Sequence, residues 1–144
     1  MAFRTHAKDQ AMRSSSLSVW TFAVILMAGC TSPTTGPQTA SGPPPATFYM
    51  NQNFPNPFTD TTSVEYGVPS GGGLQSRVSM IVYDRFQQEV RTIVYNNSHP
   101  SGVFLVKWDG LDSRGTAVSP GIYIIELRGY TPQTTIIQIA ALKR

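Results

Sequence analysis

The residues able to do chemistry are few and poorly placed for it. Two histidines occur, His6 near the start and His99 within Ser98-His99-Pro100-Ser101. A nucleophile–base pair needs a third group to orient the base. One histidine among turn residues supplies no such set, so no catalytic residue is expected. Asp84, Asp109 and Asp112 are the candidate carboxylate ligands, but their spacing is not that of a calcium loop. Each stands next to turn residues, where a short carboxylate caps its own backbone, and no metal is expected. Gly71-Gly72-Gly73 lacks the Lys-Ser/Thr that follows a phosphate-binding loop. No cofactor and no small-molecule substrate are implied. The remaining reactive group is the sole cysteine, Cys30, which excludes an intrachain disulfide.

The surroundings of Cys30 are those of an export leader. Arg4, Lys8 and Arg13 precede an apolar run from Leu17 to Ala28. Twelve residues of helix rise about 18 Å, short of the ~30 Å hydrocarbon core. The run therefore reads as the apolar part of a signal peptide over residues 1–29. It ends Leu26-Met27-Ala28-Gly29-Cys30, which resembles the lipobox of bacterial lipoproteins. That resemblance implies cleavage between Gly29 and Cys30 and acylation of Cys30, so the first partner expected is a membrane. Two or three acyl chains anchor durably where one holds marginally. Thr31 brings no acidic retention signal, which by analogy with other lipoproteins favours the outer membrane, periplasmic or surface-facing. A secreted, cell-surface protein is the alternative.

Residues 30–47 follow as an expected flexible tether. Thr31–Thr47 holds five prolines and two glycines, no charge and no apolar period. Fully extended, it would reach about 50 Å at the polyproline rise. From Cys30 onward eight Lys/Arg face seven Asp/Glu. Without a basic stripe, a nucleic-acid partner is not expected.

Residues 48–144 carry the fold. Charged residues make up 13% of the chain, against about 25% in ordinary domains. Short alternating segments recur about every ten residues between turn signals. They are Thr62–Val68, Arg77–Tyr83, Glu89–Tyr95, Val103–Trp108, Ile122–Arg128 and Thr134–Leu142. A seventh strand is expected near Thr116–Val118 or Phe48–Asn51. Asn96–Gly102 reads as a turn. No segment has a helical period, so an all-β, Ig-like antiparallel sandwich of about seven strands is expected. Trp108, Phe104 and Tyr123 read as core anchors.

Several motifs occur in a fixed order across this domain. They are Asn53-Phe54-Pro55-Asn56-Pro57-Phe58, Val78-Ser79-Met80-Ile81-Val82-Tyr83-Asp84 and Glu89-Val90-Arg91-Thr92-Ile93. Val106-Lys107-Trp108-Asp109-Gly110, Asp112-Ser113-Arg114-Gly115 and Pro120-Gly121-Ile122-Tyr123 follow. Together they resemble the C-terminal sorting domains of the type IX secretion system and the related Ig-like domain of the flagellar hook-capping protein. The resemblance implies an Ig-like fold and places Asn53, Pro55, Asn56, Pro57, Phe58, Tyr83, Asp84, Trp108, Asp109, Gly110, Gly115, Gly121 and Tyr123 in structural roles. It also implies that secretion machinery reads the last strand, at Ile137, Ile139, Leu142, Lys143 and Arg144. The chain departs from the family at Gln87, where glycine is usual, and in the last strand, which lacks an early lysine. The function expected is a non-enzymatic, lipid-anchored envelope protein carrying an interaction module. The alternative is a sorting domain that directs export and surface attachment.

Overall fold

A computed structural model describes residues 36–40, 42–72 and 75–144. The leader 1–29, the Gly29–Cys30 junction and the first tether residues lie outside the described part. Eight strands follow in order: β1 (Gln38–Ala40), β2 (Tyr49–Met50), β3 (Thr62–Val68), β4 (Ser76–Tyr83), β5 (Glu89–His99), β6 (Gly102–Trp108), β7 (Gly121–Tyr130) and β8 (Thr134–Lys143). They form two four-stranded antiparallel sheets, ordered β1-β6-β3-β2 and β5-β4-β7-β8.

Alternation explains the layering. Successive side chains point to opposite faces of a strand. Val64, Tyr66 and Val68 therefore share one face of β3, and Phe104, Val106 and Trp108 one face of β6; all are buried. Val78, Met80 and Val82 of β4 meet them from the second sheet with Tyr123, Ile125 and Leu127 of β7. Trp108 packs between Phe58 and Tyr123, with ring centroids 5.3 Å away on each side. One end of the sandwich carries Thr62, Trp108, Gly121 and Lys143. The other carries Val68, Gly102, Tyr130 and Thr134.

Two local expectations change, and one pair of alternatives is decided. The tether is not free throughout, because Gln38–Ala40 pairs with Leu105–Val103 of β6. Gln38–Gly42 is a proline-free window between Pro37 and Pro43, so its amides can donate to an edge that would otherwise be bare. The turn read at Asn96–Gly102 shrinks to Pro100-Ser101, because β5 runs on to His99. Ser98 N–H donates to Asn96 Oδ1 (2.8 Å), so turn-type side chains are satisfied within a bulged strand. The additional early strand is Tyr49–Met50, whereas Thr116–Val118 contributes only a bridge, Leu111 to Ala117.

Candidate functional site

The last strand is the edge of the second sheet, and its two halves differ. Leu142 N–H donates to Asn56 Oδ1 (2.9 Å), and Leu142 C=O accepts from Phe58 N–H (2.9 Å). The Leu142 backbone therefore points away from β7. The β7–β8 register is unbroken, so the backbones of Ala140, Gln138, Ile136 and Thr134 point the same way. Ala140 C=O is taken by Gln52 Nε2 (2.8 Å) and Asn56 Nδ2 (3.0 Å). Thus the Asn53–Phe58 segment closes the Lys143 end of this edge, with Asn56 acting as a two-pronged substitute for a strand. Among the described residues nothing bonds the outward backbone groups of Thr134, Ile136 and Gln138.

That open stretch lacks the usual protections of an edge. Natural edges carry charges, bulges or prolines that deter pairing. Thr134–Leu142 has no charge and no proline, and its register is unbroken. The opposite edge, β5, carries Glu89 and Arg91, and its pairing shifts register three times. In the first sheet β2 spans two residues and β1 three.

The outer face beside this edge is unusually apolar. Ile122 (57% exposed) lies opposite Leu142 (39%), and Ile136 (56%) opposite Arg128. At its centre Glu126 is buried, accepting from Arg128 Nε and Gln138 Nε2. The bond to Glu126 and its negative charge push the Arg128 guanidinium above its ordinary value. Tyr83, Gln87, Ile124, Glu126, Arg128 and Gln138 border a hollow of about 300 Å³ here. The carboxylate and guanidinium in this hollow are paired with each other.

The motif residues build turns and joints. Buried Asn53 donates to Thr62 Oγ1 (2.8 Å) and Pro55 O (3.2 Å). Pro55 and Pro57, both after cis peptide bonds, lead to Phe58, which packs on Trp108. Asp84 Oδ1 accepts from Phe86 N–H (2.8 Å) and Gln88 N–H (2.9 Å), capping the turn after Tyr83. Gln87 adopts φ 62° there, the left-handed conformation that glycine takes at less cost. Trp108 Nε1–H donates to Leu111 O (3.0 Å). Asp109 pairs with Arg91 at 3.1 Å and accepts from Leu111 N–H. Asp112 accepts from the Thr116 and Arg114 amides and pairs with Arg114. The Thr116 bond, ahead of those to Arg114, holds the Asp112 carboxyl below its ordinary value. Gly110 and Gly115 supply left-handed turns at φ 68° and 79°. Gly121 opens β7, and Tyr123 O–H donates to Ser119 O (2.7 Å).

The five last-strand residues are not equivalent. Ile137 and Ile139 face inward and pack on the core. Leu142 faces out. Lys143 Nζ donates to Thr59 O, and Arg144 N–H to Phe58 O. Ile136 and Glu126 lie outside the motifs, and Ile122 stands within Pro120-Gly121-Ile122-Tyr123 with no role assigned to it. Their only signal was alternation: Ile122, Ile124 and Glu126 fall on the face opposite Tyr123, Ile125 and Leu127. His99 is buried. Its Nδ1 lies 2.9 Å from Pro100 O, an acceptor only, so Nδ1 carries the proton. Nε2 then accepts from Tyr66 O–H at 3.0 Å. This histidine is a core joint.

The profile of the FlgD Ig-like domain matches residues 59–133, just over half of the chain. The chain belongs to that family. The FlgD Ig-like domain is a non-catalytic module, and its matched part spans β3 to β7 here. The Asn53–Phe58 segment and β8, which make the half-closed edge, lie outside it. No curated protein matches the chain. Among solved structures, dimeric latent PorU from Porphyromonas gingivalis matches with 20% identity and a TM-score of 0.53. The match covers 68% of this chain and 9% of that one. It shows the fold, and this chain spans under a tenth of that protein's length.

Proposed function

We propose that this chain is a non-enzymatic, lipid-anchored envelope protein whose Ig-like domain takes an extended segment of a protein partner along the open part of β8. The observation that carries this reading is the uncharged, unbulged and unpaired edge at Thr134–Gln138, beside the exposed Ile122, Ile136 and Leu142. Strand addition suits such an edge, because main-chain hydrogen bonds give affinity and alternate side chains give selectivity. The anchor is Cys30, supported by the Leu26–Cys30 pattern, with the outer membrane as the site. A photo-crosslinking residue at Ile136, compared with one at Lys107 on the far sheet, tests the docking in cells. A discrete adduct at 136 and none at 107 is expected; equal adducts at both would refute it. Palmitate labelling of Cys30 tests the anchor, and absence of label removes it.

The sorting reading is favoured by the ordered motifs from Asn53 to Tyr123. In that case the partner at β8 is secretion machinery. Residues 36–144 fused behind a periplasmic reporter should then reach the cell exterior in a host with that machinery. Retention of the reporter inside would leave the envelope module alone.

A further inference from the structure

We propose that the outer face of the second sheet holds a binding site for an acidic saccharide, between Tyr95 and Tyr130. The strand register builds it. Ser79 of β4 stands opposite Tyr95 of β5 on one side and Arg128 of β7 on the other. Two residues back along β4, Arg77 stands opposite Tyr130. Their chain neighbours Val78, Met80, Val94 and Gly129 are buried, so these side chains all rise from the outer face. Ser79 is the shortest of them, and a hollow of about 270 Å³ lies here, bordered by both tyrosine rings. With strands ~4.8 Å apart, the Cα atoms of Tyr95 and Tyr130 stand about 12 Å from each other. This surface is separate from the backbone edge of β8.

The chemistry of the rim selects the ligand. One exposed tyrosine is ordinary, but Tyr95 (74% exposed) and Tyr130 (39%) share one face. Flat exposed rings stack on the C–H faces of sugar rings, and tyrosine loses little freedom in doing so. The Arg77 guanidinium lies 4.3 Å from the Tyr130 ring centroid, which holds its fork beside the ring. Arg77 has no carboxylate partner among the described residues, and no Asp or Glu borders the hollow. Its uncompensated charge suits a sugar carboxylate, which an arginine fork takes with two hydrogen bonds. Ser79, Asn97 and Thr134 on the rim add hydroxyls and an amide, which donate and accept as sugar hydroxyls do. A bulge sets Asn97 there. Asn97 and Ser98 together stand against Arg77, between the Ser76–His99 and Val78–Asn96 pairs, and bulges re-aim side chains. The hollow is smaller than the ~300–1,000 Å³ of drug-sized pockets, which suits one ring at a time of an extended saccharide.

The test uses the full chain in a zwitterionic detergent and a sensor carrying biotinylated pentagalacturonate, read by biolayer interferometry. Wild type should bind. Tyr95→Ala should weaken binding about tenfold through loss of a stacked ring. Arg77→Gln should weaken it about tenfold through loss of a charge-assisted hydrogen bond. Tyr95→Phe keeps the ring and should bind like wild type. Lys107→Gln removes the same charge from the exposed face of the other sheet and should also bind like wild type. In competition with wild type, which needs no variant, free pentagalacturonate should outdo neutral galactopentaose and pentaglutamate by about tenfold. A wild-type chain that does not bind the sensor overturns the site. Equal losses for Arg77→Gln and Lys107→Gln reduce the binding to general charge attraction and overturn it too. Galactopentaose competing as well as pentagalacturonate removes the acid requirement, and pentaglutamate doing so makes the surface a docking place for acidic peptide; either result overturns the acidic-saccharide site.

Discussion

Gly67 tests whether the strap before β2 is part of the domain. A Cβ built there overlaps ring carbons of Tyr49 and lies 2.8 Å from Pro45 Cγ. Its backbone is not left-handed, so Gly67→Ala meets sterics and no φ strain. The Tyr49 ring must swing off β3, giving up its hydrogen bond to Glu65 (3.1 Å), and Pro45 must lift with it. Overpacking of this kind costs ~1–3 kcal/mol. Alanine recovers ~0.4–1 kcal/mol by restricting the unfolded chain. A net loss of about 1–2 kcal/mol follows from these two terms. Urea titration of the full chain, followed by circular dichroism, reads that loss as a lower midpoint. Tyr49→Ala should abolish most of it, giving a coupling of about 1 kcal/mol in a double-mutant cycle. A Gly67→Ala midpoint equal to or above wild type would mean that Tyr49 and Pro45 do not lie on β3, and the docked strap would be wrong.

Three further outcomes are expected. Gln87→Gly should stabilise the domain by up to ~1 kcal/mol, since it removes a left-handed non-glycine residue costing ~1–2 kcal/mol and adds unfolded-state freedom; a lowered urea midpoint would refute this. Burial pushes the Tyr66 phenol above its ordinary 10.0, so above pH 10 the folded chain binds more protons than the unfolded one and stability falls as pH rises, by up to ~1.4 kcal/mol per pH unit. Tyr66→Phe should remove that alkaline loss while costing ~1–3 kcal/mol at neutral pH, because His99 Nε2 loses its donor in the core; an unchanged alkaline limb in urea titrations across pH would contradict it. Asn56→Ala should cost ~1–2 kcal/mol and speed amide exchange at Leu142, while unchanged exchange would show that Asn56 does not close the edge.

Much of the sandwich was legible in the sequence because burial on one face enforces alternation. Val78, Met80 and Val82, or Phe104, Val106 and Trp108, can be read directly. What escaped the reading rests on the backbone. Gln38–Ala40 pairs through main-chain groups and has no apolar period to betray it. Asn96–Ser98 have turn chemistry, yet the bulges of β5 hold them in a strand. The half-closed edge depends on Asn56 reaching a residue 86 positions away, a relation no local pattern contains. Alternation alone carries Ile122 and Ile136 to the outer face, opposite the inward Tyr123 and Ile137. The identity of Glu126 gave no hint that Arg128 and Gln138 would bury it.

Amide exchange along β8 of the isolated chain, resolved by residue, bears most directly on the open edge. Ile137, Ile139 and Leu142 should be protected, the first two by β7 and the last by Asn56, while Ile136 and Gln138 exchange at near solvent rates. Uniform protection from Ile136 to Leu142 would show the edge already covered, leaving no place for a partner strand.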